Sequence, residues 1–254
     1  MKVAAVQHDI CWEEPAATTE HLTPMIAGAA GTGARLIVLT EMYSTGFTMA
    51  PERVAEPPDG PSTAFLVDQA ARHGVWLAAS VPIVDPALPR PVNRLVLAGP
   101  DGRHHHYDKI HPFSYGGEHE HYAAGSSFLT VDVEGLRVSC FVCYDLRFAD
   151  EFWAVARDTD CYVVVANWPA ARRHHWRSLL TARAIENQAY VVGVNRVGAD
   201  GNGVAHAGDS MIVDPLGEAL ATGAGSEAIL VADVDAAVVA GVRARFPFLA
   251  DRRA

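Results

Sequence analysis

The 254-residue chain reads as one α/β domain, for three reasons. Short runs rich in Val, Ile and Leu alternate with longer segments of helical composition. In two places, apolar runs follow one another directly across a turn. No linker, internal repeat or low-complexity stretch interrupts the pattern between residues 1 and 254. Half of the residues are hydrophobic, enough for one large core. Alternating βα units mixed with consecutive hairpins predict sheets covered by helices. Two sheets packed face to face would use up this many strands. Periodicity alone leaves that arrangement open.

The elements follow in order. "KVAAVQ" is a first strand, Thr18 to Ala30 has helical composition, and "GTGAR" breaks it. "LIVLT" is a second buried strand. "PSTAFLVDQAARHG" carries Pro61 near a helix start and Gly74 at its end, where those residues favour helix termini. "VWLAASVPIV" is a third strand. "NRLVLAGPDGRHHHYDK" is a hairpin turning at "PDG", and "FLTVDVEGLRVSCFVCYD" is another turning at Glu134-Gly135. "DEFWAVARD" is a helix, "CYVVVANW" a strand and "HHWRSLLTARAIENQ" a helix with Trp176, Leu179, Leu180 and Ala184 on one face. "AYVVGVN" is a strand, and two or three hairpin strands follow to about Leu230.

The formal charge is −10, with no Lys/Arg-rich run. That argues against a nucleic-acid or membrane-surface partner. It leaves room for an anionic substrate, because a local cluster of Arg and Lys can reverse the field inside a cleft. No apolar span is long enough to cross a bilayer, and no leader-like run follows Met1-Lys2. Four cysteines in a chain this long make no disulfide framework, so a reduced, cytoplasmic setting is expected.

"VSCFVCYDLRF" places Cys140 and Cys143 three residues apart. In a strand, residues three apart point to opposite faces, which works against a metal knuckle or redox pair. No second CxxC completes a zinc site. Cys140 reads as a small buried hydrophobe. Cys143 ends the apolar run, where α/β sheets present ligand-binding groups. A buried structural thiol and a nucleophile are both open for it. Other strand ends carry Glu41 in "LIVLTEM", Lys109 in "HHHYDKIH", and Asn167 and Trp168 in "CYVVVANW". Each alone is equally well a solvated or packed residue.

As a set, "LTEMYSTGF", "YDKIHPF", "CYDLRF" and "ANWPAARRHHWRSLLTARAIENQAYVVGVNRVGADG" resemble the nitrilase superfamily of carbon–nitrogen hydrolases. The ω-amidase, or 2-oxoglutaramate amidase, branch is the most similar. The motifs appear in the family's order and span nearly the whole chain. The resemblance implies a four-layer α-β-β-α sandwich of nitrilase type, usually a homodimer. It implies a catalytic triad at Glu41, Lys109 and Cys143, with a second glutamate at Glu118. Two positions depart from the pattern. Thr40 stands where a proline usually precedes the triad glutamate, and Pro112 stands where leucine often follows the "KxH" histidine. Neither bears a reacting group.

The chemistry suits these residue types. A free thiol has a pKa of about 8.5 and needs a base, for which Glu41 is the candidate. Lys109 and the backbone N–H of Tyr144 are candidates to hold the oxyanion. Arg147 and Arg172 are candidates for a carboxylate clamp; a structural ion pair, for instance with Asp145 or Glu186, is the alternative for each. Tyr43, Phe47, Asn167 and Trp168 are candidates for the wall of a small pocket. The scheme calls for no cofactor and no metal. The clusters His104–His106, His119–His121 and His174–His175 lack HExxH spacing and read as solvated or packed. The implied substrates are small dicarboxylate monoamides. N-carbamoyl amino acids, carbamoyl-polyamines, aliphatic amides and nitriles are alternatives within the superfamily. A non-catalytic, thiol-redox or metal-binding protein is the alternative from another class.

Overall fold

The computed structural model describes residues 1–253. The chain first lays down β1 (Lys2–Gln7), β2 (Leu36–Val38), β3 (Trp76–Ile83), β4 (Val92–Ala98) and β5 (His104–Asp108). It then forms β6 (Thr130–Val133), β7 (Leu136–Val142), β8 (Cys161–Ala166) and β9 (Tyr190–Asn195). The hairpin β10 (Val197–Ala199) and β11 (Ala205–Ala207) stands apart, before β12 (Met211–Val213), β13 (Ala219–Thr222) and β14 (Ala228–Asp233). Two six-stranded sheets result, in the orders β14-β1-β2-β3-β4-β5 and β13-β12-β9-β8-β7-β6. Each has three parallel strands at its centre, β1-β2-β3 and β7-β8-β9, with antiparallel neighbours outside them.

The helices are α1 (Pro15–Gly31), α2 (Pro51–Val54), α3 (Pro61–His73), α4 (Glu118–His121), α5 (Ala149–Ala154), α6 (Arg173–Asn187) and α7 (Ala236–Arg245). Alternation along the first sheet sorts its side chains cleanly. Ala4, Val6, Ile37 and Leu77 pack with Leu22 and Ile26 of α1 and Leu66 of α3. Val3, Ala5, Val38, Leu95 and Leu97 face the other way and join the second sheet's Val138, Val163 and Val192 in one core. That core continues to Trp176, Leu180 and Ala184 of α6. The layers are therefore α-β-β-α.

Local signals explain most boundaries. Pro61 opens α3 and Gly74 closes it at φ 63°. Glu134 and Gly135, at φ 54° and 88°, make the two-residue turn that joins β6 to β7. Three features differ from the sequence expectations. "DEFWAVARD" breaks into α5 and a 3-10 turn at Ala156–Asp158. The strands after β9 number five, and β14 crosses to pair with β1 in the other sheet. Finally, α7 was not foreseen. Only Val239 of it is buried, so it lacks an apolar stripe, and its start is set by Asp235 Oδ1 accepting the Ala237 N–H at 2.8 Å.

Candidate active site

The strand ends of both sheets meet in one buried cluster beside a cavity. Glu41 lies just beyond β2, on a segment still bonded to β3 through Leu39 N to Ala78 O (2.8 Å). Met42 follows at φ 40°, its N–H donating to Ser80 Oγ at 2.8 Å. Lys109 follows β5 and donates its backbone N–H to Asn93 O at 3.0 Å. Its Nζ donates to Glu41 Oε1 at 2.9 Å and to Glu118 Oε2 at 2.8 Å. All three side chains are buried. Burial alone would lower the Lys109 pKa, but the carboxylates of Glu118 and Glu41 outweigh it and hold the amine protonated. Burial raises the Glu118 carboxyl, with Lys109 opposing.

Asn93, which the sequence reading did not single out, joins the cluster. Its Nδ2 donates to Glu41 Oε1 at 2.8 Å and to Glu118 Oε1 at 3.1 Å. Ser80 Oγ donates to its Oδ1 at 2.7 Å, which orients the amide. A polar residue inside the apolar run "VNRLVLA" was the signal available. Asn167 closes Glu41 from the second sheet: its N–H donates to Oε2 at 2.8 Å and its Nδ2 to the Glu41 backbone oxygen at 2.6 Å.

The residue before Glu41 explains one departure from the family pattern. Thr40 Oγ1 donates to His8 Nε2 at 2.9 Å, while His8 Nδ1 donates to Asp9 O at 2.7 Å. Burial pushes His8 down to about 4, so it is neutral and can accept at Nε2. A proline at position 40 would leave that nitrogen without its donor.

Cys143 is the first residue after β7 and starts a 3-10 turn over Cys143–Arg147. Its backbone sits in the left-handed region at φ 47°, which thrusts the side chain away from the strand's alternation. Asp145 clamps this turn. It accepts from Val142 N (3.0 Å), His111 N (2.9 Å) and Tyr107 OH (2.8 Å), and burial raises it to about 6. The Cys143 thiol is pushed well up, first by burial and then by Glu41, with Lys109 opposing. Cys140 lies in the core between the sheets, pushed up to about 12 by burial. Both thiols are free, so no bond joins them.

Cys143 opens on a cavity of about 360 Å³, walled by Phe47, Phe113, Tyr144, Asn167 and Trp168. Arg147 and Arg172 also line it. The Arg147 guanidinium lies over the Trp168 ring at 4.7 Å and touches His175 Nδ1 at 3.3 Å. The alternative ion pairs are not formed: Asp145 holds its turn, and Glu186 pairs with Arg183 at 2.8 Å. Arg172 lies over Phe113 at 5.5 Å. Neither arginine has a carboxylate partner among the described residues.

Tyr43 needs correcting. Its ring stacks on Phe65 at 6.2 Å and its OH donates to Ser62 O at 2.8 Å, in the core between the first sheet and its helices. The residue two places past Glu41 is turned away from the cavity by the bend at Met42. Asp200 and His206, from the loop and strand after β10, line the cavity and were not anticipated. Nothing local in "GADGNGVAHAG" marks them. Among the described residues, no three His, Cys, Asp or Glu side chains converge to hold a metal. His105 instead stacks on Trp76 at 6.2 Å. No described helix is long and apolar enough to cross a membrane.

The chain is 39% identical to the Escherichia coli omega-amidase YafV, over 97% of this chain and 94% of that protein. It is 32% identical to the Bacillus subtilis 2-oxoglutaramate amidase, over 99% and 97% of the two chains. It superposes on XC1258 from Xanthomonas campestris, a CN-hydrolase superfamily protein with an arsenic adduct in its active site. The TM-score is 0.95 at 39% identity, covering 100% of this chain and 97% of that one. The carbon-nitrogen hydrolase family model matches residues 2–244, so this chain belongs to the carbon-nitrogen hydrolase family and is a hydrolase of carbon–nitrogen bonds other than peptide bonds.

Proposed function

We propose that the chain is a thiol amidase that cleaves the terminal amide of small dicarboxylate monoamides, such as 2-oxoglutaramate, to the acid and ammonia. The observation that carries this is the buried Glu41–Lys109–Glu118 cluster beside the Cys143 thiol, which itself opens on a cavity lined by two unpaired guanidiniums. The names of the Escherichia coli and Bacillus subtilis relatives point to the same substrate class.

In this reading Cys143 is the nucleophile. Its raised pKa means that the proton leaves as attack begins, taken by Glu41 as general base. Sulfur adds to the amide carbon. The oxygen that gains charge is held by the Lys109 ammonium and the Tyr144 N–H; losing one such donor costs about 3–4 kcal/mol of barrier. Glu41 then returns its proton to the amide nitrogen, and ammonia leaves. The thioester on Cys143 is attacked by water, again with Glu41 as base, which frees the acid and the thiol. Glu118 is a positioning residue: its Oε2 holds the Lys109 ammonium at 2.8 Å. Asn167 and Trp168 wall the acyl site, and Arg147 and Arg172 take the far carboxylate. The same reading has one domain over residues 1–254, acting in the cytoplasm as a homodimer.

The test is ammonia release from 2-oxoglutaramate, set against N-carbamoyl amino acids, carbamoyl-polyamines, aliphatic amides and nitriles. 2-Oxoglutaramate should show the highest kcat/KM, and Cys143→Ala should lose at least about 10³-fold. A variant without the thiol that keeps its activity would refute the mechanism; preference for another class in the panel would refute the substrate.

A further inference from the structure

The two cavity arginines are held differently. The Arg172 guanidinium rests on one anchor, the Phe113 ring at 5.5 Å. The Arg147 guanidinium has two, the Trp168 ring at 4.7 Å and His175 Nδ1 at 3.3 Å. An arginine can only donate, so Nδ1 accepts from Arg147 Nη2, and the neutral ring carries its proton on Nε2. Among the described residues, no other side-chain hydrogen bond engages Arg147, and the residue lines the cavity. The indole therefore sets the plane of the guanidinium and the imidazole sets its rotation within that plane.

Both anchors are themselves secured at the start of α6. Trp168 donates its Nε1–H to Arg172 O at 2.9 Å and packs on Trp176 at 5.5 Å. Trp176, the neighbour of His175, is fully buried and donates its own Nε1–H to Asp209 O at 2.8 Å. His175 is thus delivered to a set place although its side chain is exposed. Its identity is the informative part. Arg172 and Arg173 begin the helix, no acidic side chain lies in its first turn, and no side chain caps it. Cations there oppose the helix dipole, and an acid would suit it. Asp209 answers Arg173 with two bonds of 2.8 Å. An acid at position 175 would serve the helix in the same way, but it would also neutralise Arg147. A neutral acceptor orients the guanidinium and leaves its charge for a ligand.

We propose that His175 is a positioning residue that holds the Arg147 guanidinium on Trp168, ready for the far carboxylate of the substrate. This rests on the reading of Arg147 as part of a carboxylate clamp and deepens it. The gain is preorganisation: a rotamer-rich side chain ordered in advance need not be ordered when the ligand binds. Arg172, with its single anchor, is the adaptable half of the clamp.

The experiment measures kcat and KM for 2-oxoglutaramate and for butyramide, a neutral amide, in wild type and in His175→Leu, His175→Asn and His175→Glu. His175→Leu keeps bulk without an acceptor. It should raise KM for 2-oxoglutaramate about fivefold, with kcat and the butyramide constants unchanged. His175→Asn puts an acceptor near the Nδ1 position and should restore most of the loss. His175→Glu should raise the same KM about tenfold by pairing with Arg147, yet melt no lower than wild type. In an Arg147→Met background, His175→Leu should add nothing. Equal effects on both amides, no rescue by asparagine, or an undiminished effect in Arg147→Met would overturn the assignment. If wild type hydrolyses neither amide, the amidase reading falls, and binding decides the question for His175. Glutarate and butyrate are then titrated calorimetrically into wild type and His175→Leu. A loss of about fivefold confined to glutarate sustains the proposal; parallel changes, or no binding of glutarate, refute it.

Discussion

The buried floor beneath the cavity and the cavity's rim treat charge in opposite ways. On the floor, Lys109 sits between Glu41 and Glu118 at 2.9 and 2.8 Å, and Asn93 bonds both carboxylates. At the rim, Arg147 and Arg172 rest on aromatic rings and have no acidic partner among the described residues. Burial accounts for the contrast. A fully buried charge without a partner costs several kcal/mol, so the floor must be compensated within the protein. A half-exposed guanidinium on an aromatic face keeps part of its hydration and can wait for a ligand's carboxylate. In the proposed function, paired charge is held ready for reaction and unpaired charge for recognition.

The sharpest way to break this comparison is Lys109→Met. It leaves two buried carboxylates facing each other, so unfolding free energy should fall by about 3–5 kcal/mol in urea titration, and amide turnover should vanish. A Met variant as stable as wild type would mean that the floor is not a compensated network.

The next effect tests how far the compensated region reaches beneath Glu41. His8 stays neutral in the folded chain down to about pH 4, against 6.5 when unfolded. Between those values the unfolded chain binds the extra proton. Stability from this group is therefore complete above pH 6.5 and is lost as pH falls toward 4, by up to about 3 kcal/mol. Urea midpoints measured at pH 7 and pH 4.5 should move less for His8→Gln than for wild type. An identical shift in both would put the acid sensitivity elsewhere.

The smallest effect sharpens the rim. Arg172→Met should raise KM for a dicarboxylate monoamide about tenfold and leave a neutral primary amide nearly unchanged, with the difference shrinking in high salt. If both amides respond alike, the rim arginine packs against Phe113 and recognises nothing.

The floor was more legible in the sequence than the rim. Glu41 and Cys143 each end an apolar run, Lys109 follows a strand, and their order matches a family pattern, so the strands and the proposed reacting groups could be named without coordinates. The sandwich itself came from that resemblance; periodicity left the pairing of the sheets open. Asn93 was hidden because its partners lie 52 and 25 residues away. Asp145 was read only as a possible partner for Arg147, whereas three donors from two segments engage it. Tyr43 failed for a local reason: the left-handed bend at Met42 reverses which side the next residue faces. Crossing of β14 to the first sheet likewise depends on contacts that no window of sequence contains, whereas α7 rests on a local cap, Asp235 to Ala237, with no apolar stripe behind it to mark a helix.

The bonds from Asn167 to Glu41 have a further consequence. They run from the end of β8 in one sheet to the segment after β2 in the other; one ends on the carboxylate proposed to move protons and the other on the same residue's backbone oxygen. The base is thereby also a rivet across the seam. Loosening the seam would detune the base, and altering the base would loosen the seam. Neither half of the molecule alone holds a working site, and turnover doubles as a gauge of whether the two halves are docked.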